Sequence, residues 1–448
     1  MKFHFKNLGT IKKTTLDLRP LTVIVGPNNT SKTYLAYCVH GMIRAIGSQQ
    51  WEMMAGEPGA RFTESDLFAR ARKQLKHIST KFIKELPQYF QDTFGGLFKN
   101  TSVSIDFDDD ELKSAIPRLV AQYPEYVDNF GNEITCRFYY REQTDATGPL
   151  AILLVAEVAR ESLALPAERN AFILSYKMLA TRRYRLLRDR ERSFFGRTSA
   201  GASRPGTGRE IPIQETGHQS YPVPIEDFLD FLTDVELEGA GHKNNNKSSF
   251  GKLADVIESQ IHGGHRTVYQ STPAGGRKLM LEIRDDFRID LYNASSSIKQ
   301  LAPLLLYLRY RAAPNQVLII DEPEMNLHPE AQAKLLEALG MLANLGVHVL
   351  LTTHSPYFMA HLNNLIAADQ KSSARKKRQA KHLYMGNPAA FLSPSDVSAY
   401  EMRPEGLVSL ADSEYGIRWD TLSDVSAELQ RRHFAIVEEP AGRGKAKA

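Results

Sequence analysis

The feature that most constrains this chain is a turn between an apolar run and a helical pattern near its start. The apolar run, Leu21–Val25, is typical of a strand buried on both faces, and a helical pattern begins at Lys32. The turn and the helix start carry Gly26, Pro27, Asn28, Asn29, Thr30, Ser31, Lys32 and Thr33. Backbone N–H groups in such a turn converge at a helix N-terminus, so this segment predicts a phosphate site.

These eight residues fit the pattern G-x-x-x-x-G-K-[ST], with Ser31 in the place of the second glycine. In this pattern the lysine, here Lys32, reaches the β- and γ-phosphates of a nucleotide, and the hydroxyl of Thr33 coordinates Mg²⁺. We therefore predict that all eight residues bind a nucleotide. A purely structural turn is the alternative, and Ser31 is a departure that we expect to weaken affinity.

Two later apolar runs end in residues that suit phosphate chemistry. Val317–Ile320 is followed by Asp321 and Glu322, and the run that ends at Thr353 is followed by His354. Ligands of open α/β sheets bind where the strands end. If the strands are neighbours, Asp321 suits Mg²⁺, Glu322 suits activation of a water molecule, and His354 suits contact with a γ-phosphate. Each motif alone also fits an ordinary structural role.

Three serines precede a predicted buried helix, Gln300–Arg311. They are Ser295, Ser296 and Ser297. Helix capping is the plainest interpretation of serines in this position. Their hydroxyl and N–H groups could also bind an anion, including one that is held by another subunit.

Strand patterns at both ends of the chain, with a helical pattern between them, predict one α/β sheet interrupted by an insertion. The predicted divisions are a first lobe with the phosphate loop (1–46), a mainly helical insertion (47–265) with mobile loops at 196–220 and 239–252, a second lobe (266–360), and a C-terminal extension (361–448). The second lobe is expected to begin with a β-meander over about 267–292. The extension is expected to contain a basic loop, Lys371–Lys381, and a disordered tail.

The composition narrows the class of protein. In 448 residues, 42% hydrophobic and 24% charged side chains are ordinary for a soluble protein with a sizeable core. No apolar run approaches the ~18 residues that cross a bilayer, and the first residues lack a signal-peptide core. Two cysteines, Cys38 and Cys136, exclude a disulfide framework. We therefore expect a cytoplasmic protein without membrane contact, and the net charge of +4 does not demand a nucleic-acid partner.

The order of these motifs resembles that of ABC-class ATPases. It runs from the phosphate loop through the serine-rich helix start and the strand followed by Asp-Glu-Pro to the strand followed by Thr-His-Ser. The segment Asp321–Pro329 is similar to the DEPExxLHP motif of the branch that contains SMC, RecF and OLD-like proteins. The 261 residues between Thr33 and Ser295 separate the chain from transporter subunits, in which this stretch is much shorter. Leu165–Arg169 (LPAER) resembles a motif in ATPases of bacterial anti-phage systems such as Septu and the retron- and PARIS-associated systems.

The resemblance implies a P-loop ABC-type ATPase head and a role for each matching residue. Gly26 to Thr33 match the Walker A loop, Asp321 the Walker B carboxylate, Glu322 the catalytic glutamate and His354 the switch histidine. Ser295 matches the signature serine, and Ser296 and Ser297 replace two glycines. ATP and Mg²⁺ are the implied cofactors. Slow ATP hydrolysis would be consistent with the replaced glycines.

In that family two heads clamp ATP between one head's Walker A loop and the other head's signature motif. The resemblance therefore implies an ATP-dependent head-to-head dimer, with higher oligomers left open. It also implies regulation of a separate effector, such as a nuclease-type toxin, in anti-phage defence. The alternative is a RecF-like repair factor whose ATP clamp binds DNA directly. The residues after His354 contain no Asp-x-Asp pair, which favours an effector on another polypeptide.

Four further segments are weaker candidates. Asp106–Glu111 could bind a metal but more simply forms a solvated turn, and His262 and His265 lack enough further ligands for zinc. Tyr176–Arg192 predicts a basic helix, and Lys371–Lys381 is the basic loop named above. Either basic segment is a solvated surface or a contact for phosphates or an acidic partner.

Overall fold

We analysed a computed structural model of the chain. The residues that the structure describes are 1–47, 53–91, 98, 100–123, 127–130, 133–140, 147–158, 161–179, 221–238, 247–272, 277–284, 286–369, 373–412, 416–418 and 428–434.

The helices and strands are numbered in chain order. The helices are α1 Lys32–Gly47, α2 Glu64–Tyr89, α3 Asp109–Gln122, α4 Thr147–Val158, α5 over 169–179, α6 Val223–Glu238, α7 Ser249–Ile261, α8 Ser296–Tyr310, α9 Pro329–Asn344, α10 Pro356–Asp369, α11 Ser373–Gln379 and α12 over 428–434. The strands are β1 Lys2–Leu8, β2 Ile11–Asp17, β3 Leu21–Val25, β4 Met53–Thr63, β5 Ser102–Asp106, β6 Val127–Phe130, β7 Glu133–Tyr140, β8 Ser162–Leu165, β9 Arg266–Ser271, β10 Arg277–Arg284, β11 Phe287–Asp290, β12 Val317–Asp321, β13 His348–Thr353, β14 Val397–Arg403, β15 Gly406–Ser409, β16 Ala411–Asp412 and β17 Gly416–Ile417.

A central sheet of mainly parallel strands organises the fold. Its strand order is β15-β14-β3-β13-β12-β8, and every neighbouring pair is parallel except β14 with β15. Every residue of β3 and of β12 is buried, as expected for strands covered on both faces. The mixed α/β fold with a mainly parallel sheet is therefore confirmed.

The two faces of the central sheet belong to two apolar cores. Along β12, Leu318 and Ile320 pack in the core that includes α8 and α9, while Val317 and Ile319 pack in the core that includes α1 and α2. This alternation follows from the period of two in a strand. Because helices cover both faces, polar residues can gather only at the ends of the strands, and we call the side at which the parallel strands end the sheet edge.

Smaller antiparallel sheets surround the central one. The order β2-β1-β5 adds a strand from the predicted insertion to the first two strands, and β4, β7 and β6 form a separate sheet. The predicted β-meander is present as β11-β10-β9.

The predicted insertion, 47–265, contains helices α2, α3, α4, α5, α6 and α7 but also several strands. One of them, β8, is the edge strand of the central sheet, where it pairs with β12. The division into lobes stays a prediction, and β8 shows that residues of the central sheet lie inside the predicted insertion.

Two loop predictions need correction. Residues 249–252 are not loop, because Ser248 caps α7 by accepting a hydrogen bond from the Gly251 amide. The basic segment Lys371–Lys381 is not a loop either, since α11 occupies Ser373–Gln379, a run of residues with good helix propensity. The predicted loop at 196–220 and the disordered tail lie outside the described residues.

Among the residues that the structure describes, no helix has the length and apolar character needed to span a bilayer.

Candidate nucleotide-binding site

The strand order of the central sheet brings three predicted motifs to one edge. Strand β13 lies between β3 and β12, and all three run in the same direction. Their carboxyl ends therefore place the phosphate loop, His354 and the Asp321–Glu322 pair side by side. The strands that end at Asp321 and just before His354 are therefore neighbours, as the predicted roles of these two residues require.

The loop from Gly26 to Thr33 has the strained backbone that a phosphate cradle requires. Gly26 has φ +148°, and a Cβ atom there would lie 2.8 Å from the carbonyl oxygen of Met402. Asn29 and Ser31 have φ values of +61° and +66°, in the left-handed region. Ser31 thus adopts the conformation for which glycine is the usual choice in this pattern.

The side chain of Ser31 has a partner that glycine would lack. Its Oγ accepts a hydrogen bond from the Thr10 amide at 3.2 Å and lies 2.9 Å from the Thr10 hydroxyl. Thr10 belongs to the turn between β1 and β2, so these bonds fasten the phosphate loop to the first hairpin. They offset part of the cost of a left-handed serine.

Lys32 lies at the centre of the site. Its Nζ donates to the carbonyls of Gly26 at 3.0 Å and Pro27 at 2.8 Å, and it lies 3.0 Å from Nε2 of His354. Burial lowers the pKa of Lys32, and the carboxylates of Glu322, Asp321 and Glu324 act in the opposite direction. A buried ammonium group facing carboxylates and loop carbonyls is placed to contact bound phosphate.

Asp321 ends β12 between two threonine hydroxyls. Thr33 donates to its Oδ2 at 3.1 Å, and Thr352 donates to its Oδ1. Burial raises the pKa of Asp321, and the two hydroxyl bonds oppose that shift. A hydroxyl and a carboxylate in contact fit the oxygen-rich coordination of Mg²⁺.

Glu322 and His354 form the next contact. Oε1 of Glu322 lies 3.1 Å from Nε2 of His354, and Glu322 has φ +47°, an unusual conformation for a residue with a side chain. Burial alone would raise the pKa of Glu322, but hydrogen bonds with His354 and Glu324 and the nearby charge of Lys32 hold it below the usual value. Glu322 therefore stays a carboxylate, the form that orients or deprotonates water.

Glu324 is a site residue that sequence reasoning did not single out. Its Oε1 accepts hydrogen bonds from the Thr353 hydroxyl and the His354 amide, both at 2.7 Å, so it holds the backbone that carries the imidazole. Burial, followed by the charge of Glu322, raises the pKa of Glu324 to about 7. Its position in the motif Asp-Glu-Pro-Glu, Asp321–Glu324, is the sequence feature that could have identified it.

Arg169 was also missed as a site residue. Its side chain is buried and donates hydrogen bonds to the backbone carbonyls of Asp321 and Glu322. The LPAER resemblance pointed to this residue, but nothing in the spacing indicated which groups it would contact.

Of the three serines, Ser295 caps α8, and Ser296 and Ser297 are the first two residues of that helix. Ser295 is the N-cap of α8, where its Oγ accepts from the Ile298 amide and lies 2.9 Å from the Ser297 hydroxyl. Ser295 and Ser296 are exposed. The cap that Ser295 provides explains why α8 begins at Ser296, earlier than the predicted start at Gln300. A role towards a second subunit stays a prediction.

The weaker candidates have structural explanations where the structure describes them. Asp108 and Glu111 form a capping box at the start of α3. His262 is the buried C-cap of α7, and burial, with the charge of His265, lowers its pKa to about 4. In the described part of the chain, no group of three potential metal-binding side chains is present. Most of Tyr176–Arg192 lies outside the described residues.

Residues 162–360 match a family model described as "AAA domain, putative AbiEii toxin, Type IV TA system". No curated protein matches the chain. The matched region contains β8, β12 and β13 and therefore the Asp-Glu and His motifs. The phosphate loop that leads into α1 lies outside the matched region, so the match makes residues 162–360 similar to an AAA-type domain within a chain of mixed α/β fold.

Solved structures of SMC head domains are similar to the chain at low identity. An SMC head bound to the C-terminal winged-helix domain of ScpA has 11% identity and a TM-score of 0.40, with 91% of this chain and 96% of that chain covered. A head with an extended coiled coil bound to the C-terminal domain of ScpA from Pyrococcus furiosus has 12% identity and a TM-score of 0.38, with 96% and 98% covered. The head from Thermotoga maritima has 10% identity and a TM-score of 0.30, with 80% and 90% covered.

Proposed function

We propose that this protein binds and hydrolyses ATP, forms a head-to-head dimer when ATP is bound, and thereby regulates a separate effector of anti-phage defence. The observation that carries the proposal is the cluster at the sheet edge, in which Lys32, His354 and Glu322 are in contact and Thr33 touches Asp321. The family description of the region 162–360, which names a toxin and a toxin–antitoxin system, supports the regulatory part.

Each side chain has a distinct role in the proposed hydrolysis. The loop amides and Lys32 bind the phosphates, and Thr33 and Asp321 would hold Mg²⁺, which neutralises phosphate charge when bound. Glu322 orients the attacking water molecule, and His354 donates a hydrogen bond towards the γ-phosphate. The water adds to γ-phosphorus as the bond to the β-phosphate oxygen breaks, and ADP and phosphate leave.

The exposed start of α8 supports the proposed dimer. Ser295 and Ser296 present hydroxyl groups at a helix N-terminus, where backbone amides also point outward. Among the described residues, Ser295 is hydrogen-bonded to Ser297 and Ile298 of its own helix. Such a helix start suits the γ-phosphate of ATP held by a second copy of the chain.

Purification of the tagged full-length protein from its native host tests the regulatory proposal. Complexes isolated with and without ATP and Mg²⁺ would be sized by light scattering, and their components identified by mass spectrometry. We expect a dimer only with ATP and a stoichiometric nuclease-like partner. A protein that is monomeric with ATP, or that carries no partner, contradicts the corresponding part of the proposal.

One observation favours a second candidate function, direct binding of DNA by an ATP-dependent clamp. Helix α11 presents exposed Arg375, Lys377 and Arg378. A helix with several cations on its surface suits a phosphate backbone. This candidate predicts ATP-dependent DNA affinity that falls steeply with salt, and replacement of these three residues by glutamine would reduce the slope by about 2–3. Affinity that does not depend on salt or on these residues contradicts it.

A further inference from the structure

The side chain of Arg169 is almost entirely enclosed, with an exposed fraction of 1%. Its hydrogen bonds within the described residues go to backbone carbonyls: Nε to Gln300 at 3.0 Å, Nη1 to Pro166 at 3.0 Å and Asp321 at 2.7 Å, and Nη2 to Glu322 at 3.1 Å. A buried guanidinium is costly unless its donors are satisfied, and here four of its five N–H groups donate to carbonyls from three separate segments.

The carbonyls of Asp321 and Glu322 belong to the turn that follows β12. Glu322 is held there at φ +47°, a conformation that is unfavourable for a residue with a side chain and persists only where neighbouring contacts impose it. Arg169 donates to the carbonyls on either side of the Glu322 amide. It therefore restrains the backbone that aims the Glu322 carboxylate.

The carbonyl of Gln300 belongs to the first turns of α8, the helix capped by Ser295. The Gln300 side chain is fully buried and donates from Nε2 to the carbonyl of Ala167 at 3.2 Å, beside Arg169 in the chain. The start of α8 is thus attached to the segment 166–169 by two independent hydrogen bonds. If α8 moved relative to the turn after β12, Arg169 would lose its hydrogen bond to Gln300 or those to Asp321 and Glu322.

The same segment reaches the phosphate-loop helix through β8. The hydroxyl of Ser162 lies 2.6 Å from Nδ1 of His40, and Nε2 of that imidazole lies 3.1 Å from the Asp227 carboxylate. His40 belongs to α1. Residues 162–169 therefore touch α1, the turn after β12 and the start of α8, the three elements that carry the candidate site.

We propose that Arg169 is a positioning residue, which keeps the Glu322 carboxylate in register with the serine-bearing start of α8. This inference rests on the proposed ATPase function. Arginine suits the task because its planar fork donates in several fixed directions at once, whereas a lysine ammonium on a flexible stem cannot reach all four carbonyls in the same geometry. A change at Arg169 should therefore affect the chemical step more than nucleotide binding.

Kinetics of the full-length Arg169→Lys protein test this role. The matched control is Arg309→Lys, since Arg309 is another buried arginine, also in α8, whose ion pairs are with Asp255 and Glu258. We expect Arg169→Lys to lower kcat at least about thirtyfold, with the Kd for ATP and the KM within about threefold of wild type. Arg309→Lys should lower the thermal stability but leave kcat within about threefold.

Chemical rescue separates positioning from simple loss of packing. In Arg169→Ala, added guanidinium at low millimolar concentration should restore part of kcat, whereas methylammonium, which lacks the planar fork, should not. If the alanine protein does not fold, the lysine protein carries the test. The inference is overturned if Arg169→Lys loses no more kcat than Arg309→Lys, or if it loses ATP binding instead. A wild-type protein that binds no ATP overturns the proposed function as well.

Discussion

The buried carboxylate of Glu337 and the cluster of carboxylates at the sheet edge differ in how their negative charge is stabilised. Glu337 lies on α9 and is fully buried. Its two oxygens accept hydrogen bonds from His361 on α10 and from the amides of Tyr384 and Met385, each at 2.8 Å. At the sheet edge, Asp321, Glu322 and Glu324 lie close together, and the charge of Glu322 acts on both of the other carboxyl groups.

The difference distinguishes a carboxylate whose charge is satisfied within the fold from carboxylates that we propose take part in binding ATP and Mg²⁺. Glu337 has one imidazole and two amides directed at it, so its position is fixed without any bound molecule. The carboxylates at the sheet edge repel one another, and burial and Glu322 raise the pKa of Glu324 to about 7. A cation at this edge would relieve that repulsion.

The largest expected effect comes from Glu322→Gln. The amide keeps the size of the carboxylate but cannot orient and deprotonate water as well, so kcat for ATP should fall about 10²–10⁴-fold while ATP binding persists. The measurement is steady-state phosphate release together with equilibrium binding of ATP. In the control, Glu330→Gln on the exposed surface of α9, both quantities should stay at wild-type values. Unchanged turnover in Glu322→Gln would remove this residue from the site.

The complementary substitution is Glu337→Gln. It leaves one of the donors around the buried side chain without an acceptor, so the free energy of unfolding should fall by about 1–3 kcal/mol. Because the hydrogen bonds of Glu337 are with His361, Tyr384 and Met385, which are not part of the candidate site, the folded protein should keep its kcat and its affinity for ATP. Denaturant unfolding and phosphate release are measured on the same sample. A loss of kcat without a loss of stability would contradict the distinction between the two groups.

Gly26→Ala probes the loop itself. The φ value of +148° and the 2.8 Å approach to the Met402 carbonyl leave no place for a methyl group, and β14 must move if one is added. We expect a loss of about 1–3 kcal/mol in stability and a weaker affinity for ATP. Gly264→Ala, where a Cβ atom would meet no neighbour within 4 Å, controls for backbone strain alone and should leave ATP binding unchanged. Equal affinities for ATP in both variants would contradict this account.

Ser31→Gly should have the smallest effect. Glycine relieves the left-handed backbone at φ +66°, but it also removes the hydrogen bonds to Thr10. The two changes are each worth about 1 kcal/mol and have opposite signs, so the stability should change by less than about 0.5 kcal/mol. Thermal unfolding with and without ATP measures the result, and a loss of several kcal/mol would show that Thr10 supports the loop far more than we expect.

Much of the central sheet was predictable because its key strands are continuous apolar runs that end in polar residues. The run at Leu21–Val25 is β3 without change, and the predicted strands before Asp321 and His354 agree with β12 and β13 to within a residue. Turn chemistry then located the phosphate loop. These signals are local, so they survive in a single sequence.

The parts that were missed depend on contacts between distant segments. Strand β8 has four residues and lies among helices, and only its pairing with β12 makes it part of the central sheet. Arg169 contacts carbonyls more than a hundred positions away, at Gln300 and Asp321. Glu324 is recognisable as important only once β13 places His354 against it. Hydrophobic periodicity carries no information about such pairings.

Calorimetric titration of the full-length protein with ATP and Mg²⁺ tests the central claim most directly. Wild type should bind one ATP per chain, and Lys32→Ala should weaken binding at least about a hundredfold, or 2.7 kcal/mol, because its ammonium is the cation at the centre of the loop. The matched control is Lys334→Ala, since Lys334 pairs with Glu330 on α9 and should leave the affinity unchanged. Equal affinity in wild type and Lys32→Ala, or no binding by wild type, would contradict the account.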